Sequence, residues 1–263
     1  SDIATARHAI SSGKLDMVGM TRAHIADPHI VKKIIENKED SIRPCVGATY
    51  CLDRIYEGKE ALCIHNPATG RENYMPHEIT NKSKHIRKIV IIGAGPSGLE
   101  AARVCAERGH SVIVFEASND PGGQVNLIIR SDRRKDMIGI IDWRVEQCKK
   151  LKVEINYNTI ATKEKVLSQN PDVIIIATGG IPNQNKLIEG NDLAVSSWDI
   201  LSGAVNIEDE VILYDDNGFF PGLQAAELVA NNGSKLEIIS PERFFSPEIG
   251  GMNYVPYAKT FIE

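Results

Sequence analysis

"KIVIIGAGPSGLEAARVCAERGHSVIVFEA", residues 88–117, decides the fold. An apolar run of strand length meets a glycine-rich turn, then an amphipathic helix, then a second apolar run. Leu99, Ala102 and Ala106 share one face of that helix. Within "GAGPSG" (93–98) each glycine has a separate physical job. Gly93 permits a tight turn, Gly95 lets the backbone approach a pyrophosphate, and Gly98 lets helix and strand pack closely. Pro96 and Ser97 open the helix, whose unpaired N–H groups and about half a positive charge favour phosphates. Glu116 closes the second run near the usual spacing of roughly 20 residues and can accept from both ribose hydroxyls.

Outward from this stretch the alternation continues. "VEINYN" (153–158) and "DVIIIATGG" (172–180) read as further strands, the second of them buried. Strands alternating with helices predict an α/β fold, a parallel Rossmann-like sheet with helices on its faces. "NDPGGQ" (119–124) contributes Gly122, Gly123 and Gln124 just after Glu116, and "ATGG" (177–180) contributes Thr178 and Gly179. With the glycine turn, this trio resembles the two-dinucleotide-binding-domain flavoproteins. That resemblance implies that the first site holds FAD, or its ADP half alone.

A second opening of the same kind lies at "DEVILYDDNGFFPGLQAAELVANNGSKLEIISPE" (209–242). Aligning Gly222 with Gly98 places Asn217 and Phe219 at the positions of Gly93 and Gly95, and Ser240 at that of Glu116. A phenylalanine at the close-approach position keeps a pyrophosphate off the backbone. Asp215 and Asp216 add negative charge where an anion would arrive. Arg243 could meet a 2′-phosphate, which keeps NADPH open, but the copy reads as scaffold rather than cofactor site.

The 263 residues suffice for one large domain or two ordinary ones. Hydrophobic content of 42% and charged content of 25% describe a soluble globular protein. A net charge of -5 argues against nucleic acid or an anionic membrane as partner. No apolar run approaches the roughly 18 residues of a membrane-spanning helix. Five cysteines without small-domain disulfide spacing suit a reducing, cytoplasmic setting. The chain starts without Met, inside a predicted helix, and is expected to be a fragment.

Residues 1–40 read helix, strand, helix. "DIATARHAISSGK" (2–14) ends at Gly13, and "LDMVGM" (15–20) reads as a buried strand. "DPHIVKKIIENK" (27–38) has Asp27 as N-cap and Pro28 at the first helical position. Residues 41–85 carry Cys45, Cys51 and Cys63, then a polar linker, "NKSKH" (81–85). A nucleotide-binding domain over 86–204 and the start of a second over 205–263 complete the organisation. Cys105 and Cys148 read as packing residues, and Trp143 and Trp198 as core or interface aromatics. The seven histidines show no ligand spacing with one another, so solvated or capping roles are their expectation.

"GMTRAHIADPHIVKKI" (19–34) and "IRPCVGATYCLDRIYEGKEALCIHNPATGRE" (42–72), followed by "GAGPSGLEAARV", resemble the trimethylamine dehydrogenase and 2,4-dienoyl-CoA reductase family. The resemblance covers essentially the whole chain. It implies that residues 1–40 are the last units of an FMN-binding TIM barrel, with Arg22 on the FMN phosphate. Phosphate sites in such barrels lie after the last strands, and arginine gives a bidentate contact.

It also implies an iron–sulfur segment, whose motif begins Cys-x-x-Cys. Here Ala48 stands at the second ligand, while Cys45, Cys51 and Cys63 fall where the other three belong. Three readings stay open: a [4Fe–4S] cluster with a fourth donor such as water or Asp53, a [3Fe–4S] cluster, or a segment without metal. For the whole protein the resemblance implies a flavin-dependent amine dehydrogenase. A small amine would be demethylated, and electrons would pass to an electron-transferring flavoprotein. "SSWDILSG" (196–203) and "YDDNGFFPG" (214–222) lie nearer the N-methyl-amine demethylases. The alternatives are an NADPH-dependent reductase of the dienoyl-CoA type and a non-catalytic, ADP-clamped scaffold. A homodimer is left open, and no catalytic residue falls in the chain.

Overall fold

The computed structural model describes residues 2–183 and 189–262. Four short helices come first: α1 (Ile3–Ser11), α2 (Thr21–Ala26), α3 (Ile30–Ile35) and α4 (Tyr50–Tyr56). The nucleotide-binding unit follows as β1 (Lys88–Ile92), α5 (Pro96–Glu107), β2 (Ser111–Phe115), α6 (Val125–Ile128) and α7 (Gly139–Lys150). It continues through β3 (Glu154–Asn156), α8 (Lys163–Leu167), β4 (Val173–Ile176) and α9 (Ser197–Ser202). The second unit holds β5 (Glu210–Tyr214), α10 (Phe220–Asn231), β6 (Lys235–Ile239) and α11 (Gly251–Ile262).

The first sheet is parallel with order β3-β2-β1-β4, and β5 and β6 form a second parallel pair. Successive strand side chains face opposite ways, so two cores form. Ile89, Ile91, Val112 and Val114 pack with Leu99 and Ala102 of α5 and with Ile140 and Ile141 of α7. Val90, Ile113, Phe115 and Val166 pack on the other side. Leu99 is fully buried, a contribution of roughly 1.5–3 kcal/mol.

Three expectations are corrected here. Residues 15–20 form no strand, because no neighbouring strand pairs with them and Met17 is exposed. The helix expected from Asp27 and Pro28 begins at Ile30, with His29 at its cap. Asp27 is instead buried, accepting from the backbone N–H of His29 (3.0 Å) and Arg43 (2.8 Å) and from Lys33 Nζ (2.6 Å). Its carboxylate is spent tying α3 to the cysteine segment. The strand before Thr178 is not buried on both faces: β4 lies at a sheet edge and exposes Ile174 and Ile176.

A buried charge cluster joins the cysteine segment to the sheet helices. The guanidinium groups of Arg43 and Arg103 lie 4.2 and 5.5 Å from the Trp143 ring centre. Glu100 pairs with Arg103 Nη2 at 2.6 Å and Arg144 Nε at 2.8 Å. Burial pushes the Glu100 carboxyl up, but the Arg103 hydrogen bond and the surrounding positive charge bring it down to about 2. Trp143 Nε1–H donates to the Ser41 carbonyl at 3.0 Å, and Arg144 Nη2 to that of His65 at 3.1 Å.

The second unit docks through polar side chains on α10. Gln224 Nε2 donates to the Ile128 carbonyl at 2.8 Å. Glu227 accepts from Ser131 Oγ at 2.8 Å and from Arg133 Nε at 2.7 Å. At the other end, Asn253 of α11 donates to Thr49 Oγ1, the cap of α4.

Candidate nucleotide cradle and cysteine cavity

The turn from β1 to α5 is built around backbone contacts that leave no room for side chains. Gly93 has φ +103°, and a Cβ there would lie 2.4 Å from the Ala177 carbonyl oxygen. A Cβ on Gly98 would lie 1.9 Å from the Gly93 carbonyl oxygen. Gly95 differs. It caps α5 with extended backbone, and a Cβ there would meet nothing within 4 Å. The helix start has Pro96 at its first turn and no side-chain cap, so open space and uncapped N–H groups coincide. That is the geometry an anion requires. Ser97 is exposed at this opening and Gly98 is buried behind it.

Glu116 is held beside the turn. Its Oε2 accepts from the Ala94 N–H at 2.6 Å and its Oε1 from the Ser118 N–H at 2.9 Å. The other predicted elements meet the same opening. The Gly122 N–H donates to the Ala94 carbonyl at 2.9 Å. A Cβ on Gly123 would touch Gly95 Cα at 3.5 Å, and one on Gly179 would lie 3.6 Å from Gln124 Nε2. Gln124, Thr178 and Gly179 are exposed around this rim. Residues separated by more than 80 positions are thereby gathered at one helix start.

The second turn is closed. Five residues, Asp215 to Phe219, join β5 to α10, where three, Gly93 to Gly95, join β1 to α5. The Asp215 N–H donates to the Ile239 carbonyl as the Gly93 N–H donates to that of Phe115. Asp215, not Asn217, is therefore the counterpart of Gly93, because two inserted residues shift the strand relative to the helix. Its buried Oδ1 accepts from the N–H groups of Asn217 (3.2 Å) and Gly218 (3.0 Å). The carboxylate also fills the space a Gly222 Cβ would need, at 2.8–2.9 Å. Phe219 caps α10, as expected from its alignment with Gly95, and Phe220 behind it carries the Arg134 guanidinium at 3.8 Å. Beyond β6, Arg243 is exposed and Ser240 half-buried.

Cys45, Cys51 and Cys63 border a single cavity of about 20 Å³, together with Arg22, Ala48 and His65. Burial pushes the Cys51 thiol up, and Cys63 and Cys45 are near enough to add to the shift. Among the described residues, no three His, Cys, Asp or Glu side chains could hold a single metal ion. Of the four positions that the family resemblance assigns to cluster thiolates, three line this cavity as cysteines and the fourth is Ala48. Asp53 does not line this cavity: its Oδ2 accepts from Thr49 Oγ1 at 3.1 Å, its Oδ1 is buried without a partner, and its carboxylate packs onto Gly250. Arg22 is exposed on α2 at the cavity edge.

His65 departs from the solvated role expected of it. It is fully buried, its Nδ1 lies 2.9 Å from the Pro44 carbonyl, and its ring meets Trp143 edge-on at 5.5 Å. Spacing alone gave no signal for this, since His65 has no partner histidine. Cys148 is buried on α7, where burial pushes its thiol up to about 11. Trp143 is buried and Trp198 half-buried.

Comparison with known proteins places this geometry. A model of the NAD(P)-binding Rossmann-like domain matches residues 91–139, the stretch from the glycine turn to the start of α7. The chain is 59% identical over 258 residues to a protein of Rhizobium meliloti named probable N-methylproline demethylase. The match covers 98% of this chain and 38% of that protein. It is 42% identical to the N,N-dimethylglycine/sarcosine dehydrogenase of Chromohalobacter salexigens, again covering 98% of this chain and 38% of the relative. The chain belongs to the trimethylamine dehydrogenase and 2,4-dienoyl-CoA reductase family. The solved structure of a 2-naphthoyl-CoA reductase superposes with a TM-score of 0.90 at 31% identity, covering 98% of this chain and 39% of that one. This family member thus spans less than two-fifths of the length of its curated relatives. Among its described residues no helix is long and apolar enough to cross a membrane.

Proposed function

We propose that this chain is the cluster and nucleotide portion of a flavin-dependent N-demethylating amine dehydrogenase. The observation that carries the reading is the contrast between the two turns. The turn at Gly93, Gly95 and Gly98 is open, and that at Asp215 is filled by the chain's own carboxylate, with Phe219 at the position of Gly95. A protein whose electrons come from an amine needs no docking place for a nicotinamide coenzyme. The names of the two relatives, an N-methylproline demethylase and a dimethylglycine/sarcosine dehydrogenase, favour an N-methyl amino acid as substrate.

In this reading Gly93, Gly95 and Gly98 hold the diphosphate of FAD or ADP, with Pro96 and Ser97 opening the helix and Glu116 on the ribose. Gly122, Gly123, Gln124, Thr178 and Gly179 border the nucleotide. Arg22 faces the phosphate of an FMN carried by a preceding barrel. Cys45, Cys51 and Cys63 hold an iron–sulfur cluster. Bound FMN supplies the hydride acceptor that turns the N-methyl carbon into an imine, which water then cleaves to formaldehyde and the demethylated amine. The residues described here orient and insulate: the Arg43, Arg103 and Arg144 cluster fixes the cysteine segment against α5 and α7. An electron-transferring flavoprotein takes the electrons, in the cytoplasm.

Anaerobic mixing of the complete protein with N-methylproline or sarcosine tests this. Flavin absorbance should bleach with the amine and stay unchanged with NADPH. The likeness to 2-naphthoyl-CoA reductase favours a second reading, an NADPH-fed reductase of unsaturated thioesters. Bleaching by NADPH and none by the amine would establish it.

A further inference from the structure

Ala48 leaves the cysteine cavity one donor short of the four that a [4Fe–4S] cluster takes. Among the described residues, several buried side-chain nitrogen and oxygen atoms lack a hydrogen-bond partner. Of these, His65 Nε2 belongs to a residue that lines the cavity of Cys45, Cys51 and Cys63. A buried imidazole nitrogen with no partner costs free energy.

The other ring nitrogen is already engaged. Nδ1–H donates to the carbonyl of Pro44, the residue bonded to Cys45, at 2.9 Å. That bond commits the proton to Nδ1 and leaves the Nε2 lone pair bare. Histidines that bind metals are commonly fixed in this way, with the other ring nitrogen donating to a backbone carbonyl. His65 also follows Cys63 by two residues, so its bond to Pro44 links the Cys63 segment to the Cys45 segment. Trp143 closes its outer side.

We propose that His65 Nε2 is the fourth protein ligand of a cluster held by Cys45, Cys51 and Cys63, giving a three-cysteine, one-histidine site in place of four cysteines. The inference rests on the cluster reading above. It takes histidine nitrogen as the donor, with Ala48 as the reason a fourth thiolate is absent. Imidazole binds iron well and replaces thiolate in some iron–sulfur centres.

The test uses the complete protein, purified and reconstituted without oxygen, with iron, acid-labile sulfide and bound flavin measured together. Pulsed electron paramagnetic resonance of the dithionite-reduced protein should show a nitrogen coupling that changes on 15N-histidine labelling. His65→Val should lower iron per chain at least three-fold while bound flavin stays at the wild-type level. In His65→Val/Ala48→Cys, iron should return without the nitrogen coupling, which separates a lost ligand from a misfolded segment. Full iron in His65→Val, or a reduced wild-type cluster without nitrogen coupling, overturns the assignment of His65 and leaves the cluster reading intact. Iron in Ala48→Cys but none in the wild type also overturns it. No iron in either protein removes the cluster reading together with the proposal.

Discussion

Alanine at Gly95 and alanine at Gly98 should separate binding from folding at the first turn. At Gly98 the new methyl carbon would sit 1.9 Å from the Gly93 carbonyl oxygen and 3.4 Å from Ala177 Cβ. Backbone oxygen cannot rotate aside, so α5 must move out by about 1 Å, an overpacking cost of about 3 kcal/mol. At Gly95 the methyl meets nothing within 4 Å, and φ is −73°, which alanine adopts freely. Folding stability should therefore change by less than about 0.5 kcal/mol. That methyl instead projects into the space where a diphosphate must approach the backbone. A phosphate oxygen pushed from about 2.9 to 3.9 Å loses its hydrogen bonds to the helix start. Two such charge-assisted bonds at about 1.5 kcal/mol each correspond to roughly a hundred-fold weaker retention. Urea denaturation read by tryptophan fluorescence gives the first quantity, and nucleotide retained after extensive dialysis gives the second. Equal destabilisation by the two substitutions, or full retention of nucleotide in Gly95→Ala, would refute the reasoning.

Glu100→Gln leaves Arg43, Arg103 and Arg144 buried around one missing charge and should cost about 3 kcal/mol in urea denaturation. Cys148 should resist a thiol reagent at pH 8 in the folded protein and react once urea unfolds it. Its folded value of about 11 lies above the ordinary 9.0, so the native state holds the proton more tightly. Stability from this group is complete below pH 9 and should decline by up to about 3 kcal/mol as pH rises to 11, seen as a falling urea midpoint. Phe219→Gly should not make the flavin responsive to NADPH in stopped-flow absorbance, because the Asp215 carboxylate and the two extra residues remain.

The glycine turn, its helix and its flanking strands were legible because each depends on local rules. Apolar alternation gives β1 and β2, and the three glycines mark places where backbone touches backbone. The second unit shows where such reading stops. Alignment from Gly222 placed α10 and β6 correctly, since both lie after the turn. It misplaced β5 by two residues, because an insertion before the helix is invisible without the strand register. The expected strand at 15–20 fails for a different reason. Its sequence has strand character, but a strand forms only beside another, and none is present among the described residues. The Arg43, Arg103, Arg144 and Glu100 cluster was not legible at all. Arg43 and Arg103, 60 positions apart, share one tryptophan ring, and only tertiary packing brings them there. His65 belongs to the same class, a residue whose role depends on the Pro44 carbonyl and the cavity behind it.

The nucleotide that heat releases from the complete protein, identified and quantified by mass spectrometry, bears most directly on the open first turn and the closed second one. One FAD or ADP per chain, with no nicotinamide coenzyme, is the expected composition. NADP(H) alone, or no adenine nucleotide, would contradict it.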